Sequence, residues 1–132
     1  MRIFLAEKSK DLRVGLQFLL HQEPGLQVIG VADNGKGLPT RIKASQPDVL
    51  LLDWYLPDAH MTELIADIRA LDFQLQIIVI SVHPEEKSAV MSAGADYFIV
   101  KNSPPDKLLA KLRDYSQIPT DVTPFASTKK QT

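Results

Sequence analysis

Apolar residues along the chain fall into two alternating patterns. Five short runs rich in aliphatic and β-branched residues predict strands: Ile3 to Ala6, Val28 to Ala32, Val49 to Leu52, Ile77 to Val82 and Tyr97 to Val100. The Val49 to Leu52 run has no polar alternation, the mark of a strand covered on both faces, as in parallel sheets. Between the runs the spacing changes to a helical period. Leu12, Leu16, Leu19 and Leu20 put one apolar stripe on a helix from about Lys10 to Gln22. Gly35 to Ser45 is compatible with helix only if Pro39 lies in the first turn. Leu64, Ile65, Ile68 and Leu71 mark a helix over Thr62 to Leu71. Pro84-Glu85-Glu86 has proline and acids where a helix amino terminus accepts them, and Gly94 closes that helix. Ser103-Pro104-Pro105-Asp106 starts the last helix, with Ser103 as N-cap and Leu108, Leu109 and Leu112 on one face.

Strand followed by helix, five times over, implies parallel strands joined by right-handed crossovers. The predicted fold is therefore α/β: a five-stranded parallel sheet with helices on both faces, in three layers. The folded unit is expected to end near Tyr115, giving a domain over 1–116, with 117–132 a polar tail or linker because no period continues there. No helix-turn-helix follows Tyr115, so no nucleic-acid contact is expected of this segment. Whether the chain stands alone or is a fragment whose linker starts near Gln117 is left open.

Composition narrows the options without redirecting them. At 132 residues, 45% hydrophobic and 23% charged, the chain suits one domain with a real core. A net charge of -1 gives no global attraction to nucleic acid. The absence of cysteine excludes disulfides, thiolate metal sites and cysteine nucleophiles, and fits a reducing compartment. The apolar start, Ile3 to Ala6, is too short for a signal peptide or a membrane span. A cytoplasmic location without membrane contact is expected.

Within this pattern one residue stands out. Asp53 ends the run Val49-Leu50-Leu51-Leu52, where a charge needs a reason. In open parallel sheets ligands bind outside the carboxyl ends of the strands, and that edge is predicted to gather Glu7, Lys8, Asp53, Ser81 and Lys101. Each has a plain structural reading: Asp53 as a helix cap, Ser81 as a strand end, Lys101 as a solvated cation. Together, an acid, a hydroxyl and an ammonium suit phosphate chemistry. Asp53 serves there as a carboxylate nucleophile forming an acyl phosphate, Lys101 neutralises phosphoryl charge, and Ser81 donates to a phosphoryl oxygen.

From Arg2 to about Arg113 the sequence resembles the receiver domains of two-component response regulators. The resemblance rests on the polar pair after the first strand, Leu51-Leu52-Asp53-Trp54-Tyr55-Leu56-Pro57, Ile80-Ser81, and Ala93-Gly94-Ala95-Asp96-Tyr97-Phe98-Ile99-Val100-Lys101. Asn34-Gly35, Gln46-Pro47-Asp48 and Lys101-Asn102-Ser103-Pro104 look most like the LuxR-type transcription-factor branch. The resemblance implies a flavodoxin-like sheet of order 2-1-3-4-5, Asp53 as phosphoacceptor, Ser81 and Lys101 as phosphoryl ligands, and Phe98 as the switch aromatic coupled to Ser81. It implies Mg²⁺ held by Glu7, Asp53 and the Tyr55 carbonyl. It also implies a sensor histidine kinase or other phosphodonor, and an output domain or partner docked on the face of the fourth and fifth helices, with homodimerisation an open option.

Two positions depart from the family pattern. Two acids normally follow the first strand, and here the pair is Glu7-Lys8. Mg²⁺ takes oxygen ligands, which an ammonium cannot supply, so its binding is expected to be weak or absent. A lysine about 4 Å from a carboxylate gains about 4 kcal/mol of Coulomb energy at an effective dielectric near 20, before desolvation. Lys8 therefore either replaces the metal or points to solvent; Asp11 and Asp58 are the other acids within reach in sequence. Met61 stands where the family has glycine, and His60 reads as a loop or cap residue.

Other functions compete. A receiver that acts without phosphorylation, as a constitutive binding module, is favoured by Lys8. A haloacid-dehalogenase-like phosphatase also uses a strand-end aspartate, but wants a second aspartate where Tyr55 stands. Gly35-Lys36-Gly37 lacks the third glycine of a dinucleotide fingerprint.

Overall fold

A computed structural model describes residues 1–117; of the tail predicted over 117–132, Gln117 instead ends the last helix, and the rest lies outside the described residues. Five strands form one parallel sheet in the order β2-β1-β3-β4-β5. They are β1 (Arg2–Ala6), β2 (Gln27–Ala32), β3 (Val49–Asp53), β4 (Gln76–Ser81) and β5 (Tyr97–Val100). Five α-helices alternate with them: α1 (Lys10–His21), α2 (Leu38–Ser45), α3 (Met61–Arg69), α4 (Lys87–Ser92) and α5 (Pro105–Gln117).

The sheet divides the core into two layers because successive strand residues face opposite sides. On one side Phe4, Leu50, Leu52, Ile77 and Val79 pack against Leu38 and Ile42 of α2, Leu64, Ile65 and Ile68 of α3, and Val90 of α4. On the other, Ile3, Leu5, Leu51, Ile78 and Ile80 pack against Leu20 of α1 and Leu108, Leu109 and Leu112 of α5. The central strand β3 is buried along its whole length, as its unbroken apolar run requires.

Helix boundaries follow local chemistry. Ser9 caps α1, its Oγ accepting from the Leu12 N–H at 3.3 Å. Pro39 does fall in the first turn of α2. Gly94 ends the segment after α4 at φ 114°, a conformation few side chains tolerate.

Three expectations need correcting. The helix predicted from Pro84 begins instead as a 3₁₀ turn over Pro84–Glu86, with the Glu86 N–H donating to His83 O, before α4 starts at Lys87. Strand β4 stops at Ser81 rather than Val82, since the His83 N–H turns back to Ser81 Oγ. Ser103 does not sit at the N-cap position of α5; its N–H closes a turn onto Val100 O at 2.9 Å, and Pro104 directly precedes the helix. Among the described residues no helix is long and apolar enough to cross a membrane.

Candidate functional site at the carboxyl edge of the sheet

Main-chain hydrogen bonds continue past the strand ends and place the polar residues. The Glu7 N–H donates to Ala32 O at 2.9 Å, the Trp54 N–H to Ile80 O at 2.9 Å, and the Lys101 N–H to Ser81 O at 2.7 Å. Glu7, Asp53, Ser81 and Lys101 thereby come to one edge, beside the β1–β3 boundary where the strand order reverses. Among the described residues, Glu7, Asp53 and Ser81 are the buried polar or charged side chains, each 0% exposed. Buried charge persists only with partners.

Those partners are specific. Lys101 Nζ lies 3.1 Å from Asp53 Oδ1 and 3.1 Å from Glu7 Oε1, so one ammonium bridges two carboxylates. Asp53 Oδ1 also accepts from the Tyr55 N–H at 2.9 Å, and Oδ2 from the Lys8 N–H at 3.2 Å. Glu7 Oε2 accepts from the Ser9 N–H at 2.7 Å, while Oε1 has the ion pair but no directed hydrogen bond. Burial pushes the Glu7 carboxyl above its ordinary value and the Asp53 charge adds to this, with the Ser9 N–H and Lys101 opposing.

Of the two positions that sequence context left open for Lys8, beside Asp53 or out in solvent, its side chain takes the solvent one. Its backbone binds Asp53, but its exposed ammonium sits 5.4 Å from the centroid of the Tyr55 ring. The cation that balances Asp53 is Lys101. Asp11 and Asp58 are both exposed, Asp58 at φ 58°, and among the described residues no group of three or more His, Cys, Asp or Glu side chains is arranged to hold a metal. The carboxylates Glu7 and Asp53 already share Lys101, and among the described residues no third acid joins them. Two carboxylates already paired with one ammonium are a poor donor set for Mg²⁺, which needs carboxylate oxygens free to replace some of its waters.

On the other flank, the Ser81 hydroxyl donates to Glu86 Oε1 at 2.9 Å and accepts from the His83 N–H at 3.1 Å. The Tyr55 phenol donates to Glu86 Oε2, and its ring meets His83 edge-on at 5.6 Å between centroids. Burial raises the Glu86 carboxyl, but hydrogen bonds from Tyr55 and Ser81 and the nearby His83 outweigh it, and the net displacement is downward. Phe98 is half-buried and pairs in register with Val79, putting it on the sheet face that Ser81 shares. His60 occupies the N-cap position of α3 without a side-chain bond. Gly35 is held against the loop after β3: its N–H donates to Pro57 O at 2.8 Å, and a Cβ there would lie 2.6 Å from Ala59 Cβ.

Glu86 is the residue that sequence reasoning missed as part of this site. It stood in Pro84-Glu85-Glu86 as one of two helix-terminus acids, and only the tightness of the 3₁₀ turn selects Glu86 to face Ser81.

Comparison with known proteins settles the family. Residues 3–113 match the model of the response regulator receiver domain. The chain belongs to the response regulator receiver domain family. The nitrate/nitrite response regulator protein NarL of Escherichia coli is 30% identical over 112 residues, covering 83% of this chain and 52% of NarL. A two-component response regulator of the LuxR family from Aurantimonas sp. superposes with a TM-score of 0.77 at 25% identity, over 86% of this chain and 83% of that one. The signal receiver domain of the putative response regulator NarL from Mycobacterium tuberculosis superposes with a TM-score of 0.79 at 26% identity, over 89% of this chain and 97% of that one. The chain spans about half the length of the curated relatives it matches. Receiver domains are signalling domains of two-component systems, and the order β2-β1-β3-β4-β5 found here is the flavodoxin-like order of that family.

Proposed function

We propose that this receiver domain accepts a phosphoryl group on Asp53 and changes conformation in response. The observation that carries the reading is a fully buried carboxylate at the end of β3, 3.1 Å from the Lys101 ammonium. In the step itself, an Asp53 oxygen attacks the phosphorus of a phosphohistidine or small acyl phosphate. The Oδ–P bond forms as the bond from phosphorus to the leaving nitrogen or oxygen breaks, and the leaving group departs with that electron pair. Lys101 balances the charge arriving on the phosphoryl oxygens, which a dry site makes worth more than in water. Ser81 then donates to a phosphoryl oxygen, and Phe98 on the same sheet face follows it. The partners of this cycle are a cytoplasmic sensor histidine kinase or other phosphodonor, and an output domain or partner protein reading the α4–α5 face. The protein itself does no more than load from the donor and lose the phosphoryl group to water.

Lys101 bridging Glu7 and Asp53, with Lys8 in place of a second acid, supports weak Mg²⁺ binding or none. The same observation favours a second reading, a receiver that binds its partner without phosphorylation. Incubation with acetyl phosphate, with and without Mg²⁺, followed by intact mass measurement separates the two. A gain of one phosphoryl group by wild type and not by Asp53→Asn supports the phosphoacceptor; no gain under any condition leaves the constitutive module. Trp54, next to Asp53, reports on the metal: its fluorescence is expected not to saturate at sub-millimolar Mg²⁺, and saturation there would contradict weak binding.

A further inference from the structure

A serine hydroxyl has one proton to donate. In this structure the Ser81 proton goes to Glu86 Oε1 at 2.9 Å, while its oxygen accepts from the His83 N–H at 3.1 Å. It therefore cannot simultaneously donate to a group on Asp53. The competing acceptor is itself held in place. The Tyr55 phenol donates to the second Glu86 oxygen, and Tyr55 is tied through its own N–H to Asp53 Oδ1 at 2.9 Å. The Lys8 ammonium lies over the Tyr55 ring, and the 3₁₀ turn over Pro84–Glu86 fixes the backbone that carries the carboxylate.

We infer that Glu86 is a positioning residue for phosphoryl transfer: its carboxylate occupies the Ser81 hydroxyl in the unphosphorylated protein, and the phosphoryl group on Asp53 must win that hydroxyl from it. This rests on Asp53 being the phosphoacceptor. A hydrogen bond to an ionised acceptor is about twice as strong as a neutral one, so the contest lies between two anions of similar appetite. The arrangement sets the threshold for switching. When Ser81 turns to the phosphoryl group, Glu86 loses one of the two hydroxyls it accepts from and is left with the Tyr55 phenol, so the turn that leads into α4 is held by one bond fewer. The residue that departs from the family pattern, Lys8, then acts through Tyr55 on the Ser81 flank as well as failing to hold a metal.

The test is a double-mutant cycle read as the phosphorylated fraction at fixed acetyl phosphate, by intact mass. In a background with Ser81 intact, Glu86→Ala is expected to raise the ratio of phosphorylated to unphosphorylated protein by about tenfold, the lower end of what a charged hydrogen bond contributes, with the isosteric Glu86→Gln in between. In the Ser81→Ala background the same substitutions are expected to change the ratio less than about twofold, because the contested hydroxyl is gone. Equal rises in both backgrounds would overturn the inference by showing that Glu86 acts only through its charge; no rise in either would overturn it outright. If wild type takes up phosphoryl on Asp53 but the ratio ignores Glu86, the inference falls alone. If neither wild type nor any Glu86 variant takes up phosphoryl, the phosphoacceptor reading falls and this inference with it.

Discussion

Asp53 has two unlike flanks. On one side Glu7 and Lys101 form a dry ion triad with Asp53, two carboxylates sharing one ammonium at 3.1 Å each. On the other side Ser81, Glu86 and Tyr55 form a hydrogen-bonded chain that reaches the surface, where Tyr55 is 43% exposed. Burial makes the first flank rigid, since an unpaired charge at such a site is penalised heavily. Exposure of its outer end makes the second exchangeable, because water can replace a partner that Tyr55 or Glu86 loses. A receiver domain has use for both: a fixed place for the phosphoryl group and a neighbour free to move.

The largest expected effect breaks the first flank. Lys101→Ala leaves Glu7 and Asp53 facing each other without a cation and is expected to lower stability by about 3–5 kcal/mol, the range for removing one member of a buried ion pair. Urea unfolding at neutral pH measures it, and the deficit should shrink in acid as one carboxylate takes up a proton. A loss below about 1 kcal/mol would mean that the triad is open to water.

Glu7 sharpens the same flank through pH. Its folded pKa lies above the ordinary value of 4.5, mainly through burial. Between the unfolded and folded values the native state therefore binds more protons than the unfolded chain, so this group's contribution to stability falls as pH rises. The stability of Glu7→Gln relative to wild type is expected to grow as pH increases from about 4.5 and then level off. A difference that declines over that window would reverse the sign assigned to Glu7.

Effects on the open flank should be smaller in stability than in switching. Glu86→Ala removes the acceptor for two hydroxyls, of which the exposed Tyr55 phenol turns to water and only the buried Ser81 hydroxyl is left without an acceptor, and it is expected to lower stability by about 1 kcal/mol in the same unfolding assay. Lys8→Ala should fall at the limit of detection, as an exposed cation over an exposed ring contributes little. If Glu86→Ala matched Lys101→Ala, the contrast between the flanks would not hold.

The two flanks also differed in how far the sequence revealed them. Asp53 and Lys101 were legible because charges at the ends of buried apolar strands are rare enough to demand a role, and the strand-helix alternation alone placed them on one edge. The sheet order was legible through resemblance to the receiver family. Glu86 was hidden because adjacent acids at a helix start look alike until the turn type decides which one faces inward. Exposure of Lys8 was one of the two positions left open, but its contact was hidden for a related reason: a long flexible side chain goes where a partner is, and that partner was the Tyr55 ring two residues beyond Asp53. Ser103 misled because a serine before two prolines reads as an N-cap, whereas the helix begins only at Pro105, so that Pro104 and not Ser103 directly precedes it.

Everything proposed for both flanks depends on Asp53 being the residue that carries the phosphoryl group. Peptide mass mapping after loading with acetyl phosphate tests this most directly, with Asp53→Asn treated in parallel. The predicted result is one phosphoryl group, confined to the peptide containing Asp53 and absent from the variant. A phosphoryl group elsewhere, or equal loading of Asp53→Asn, would contradict it.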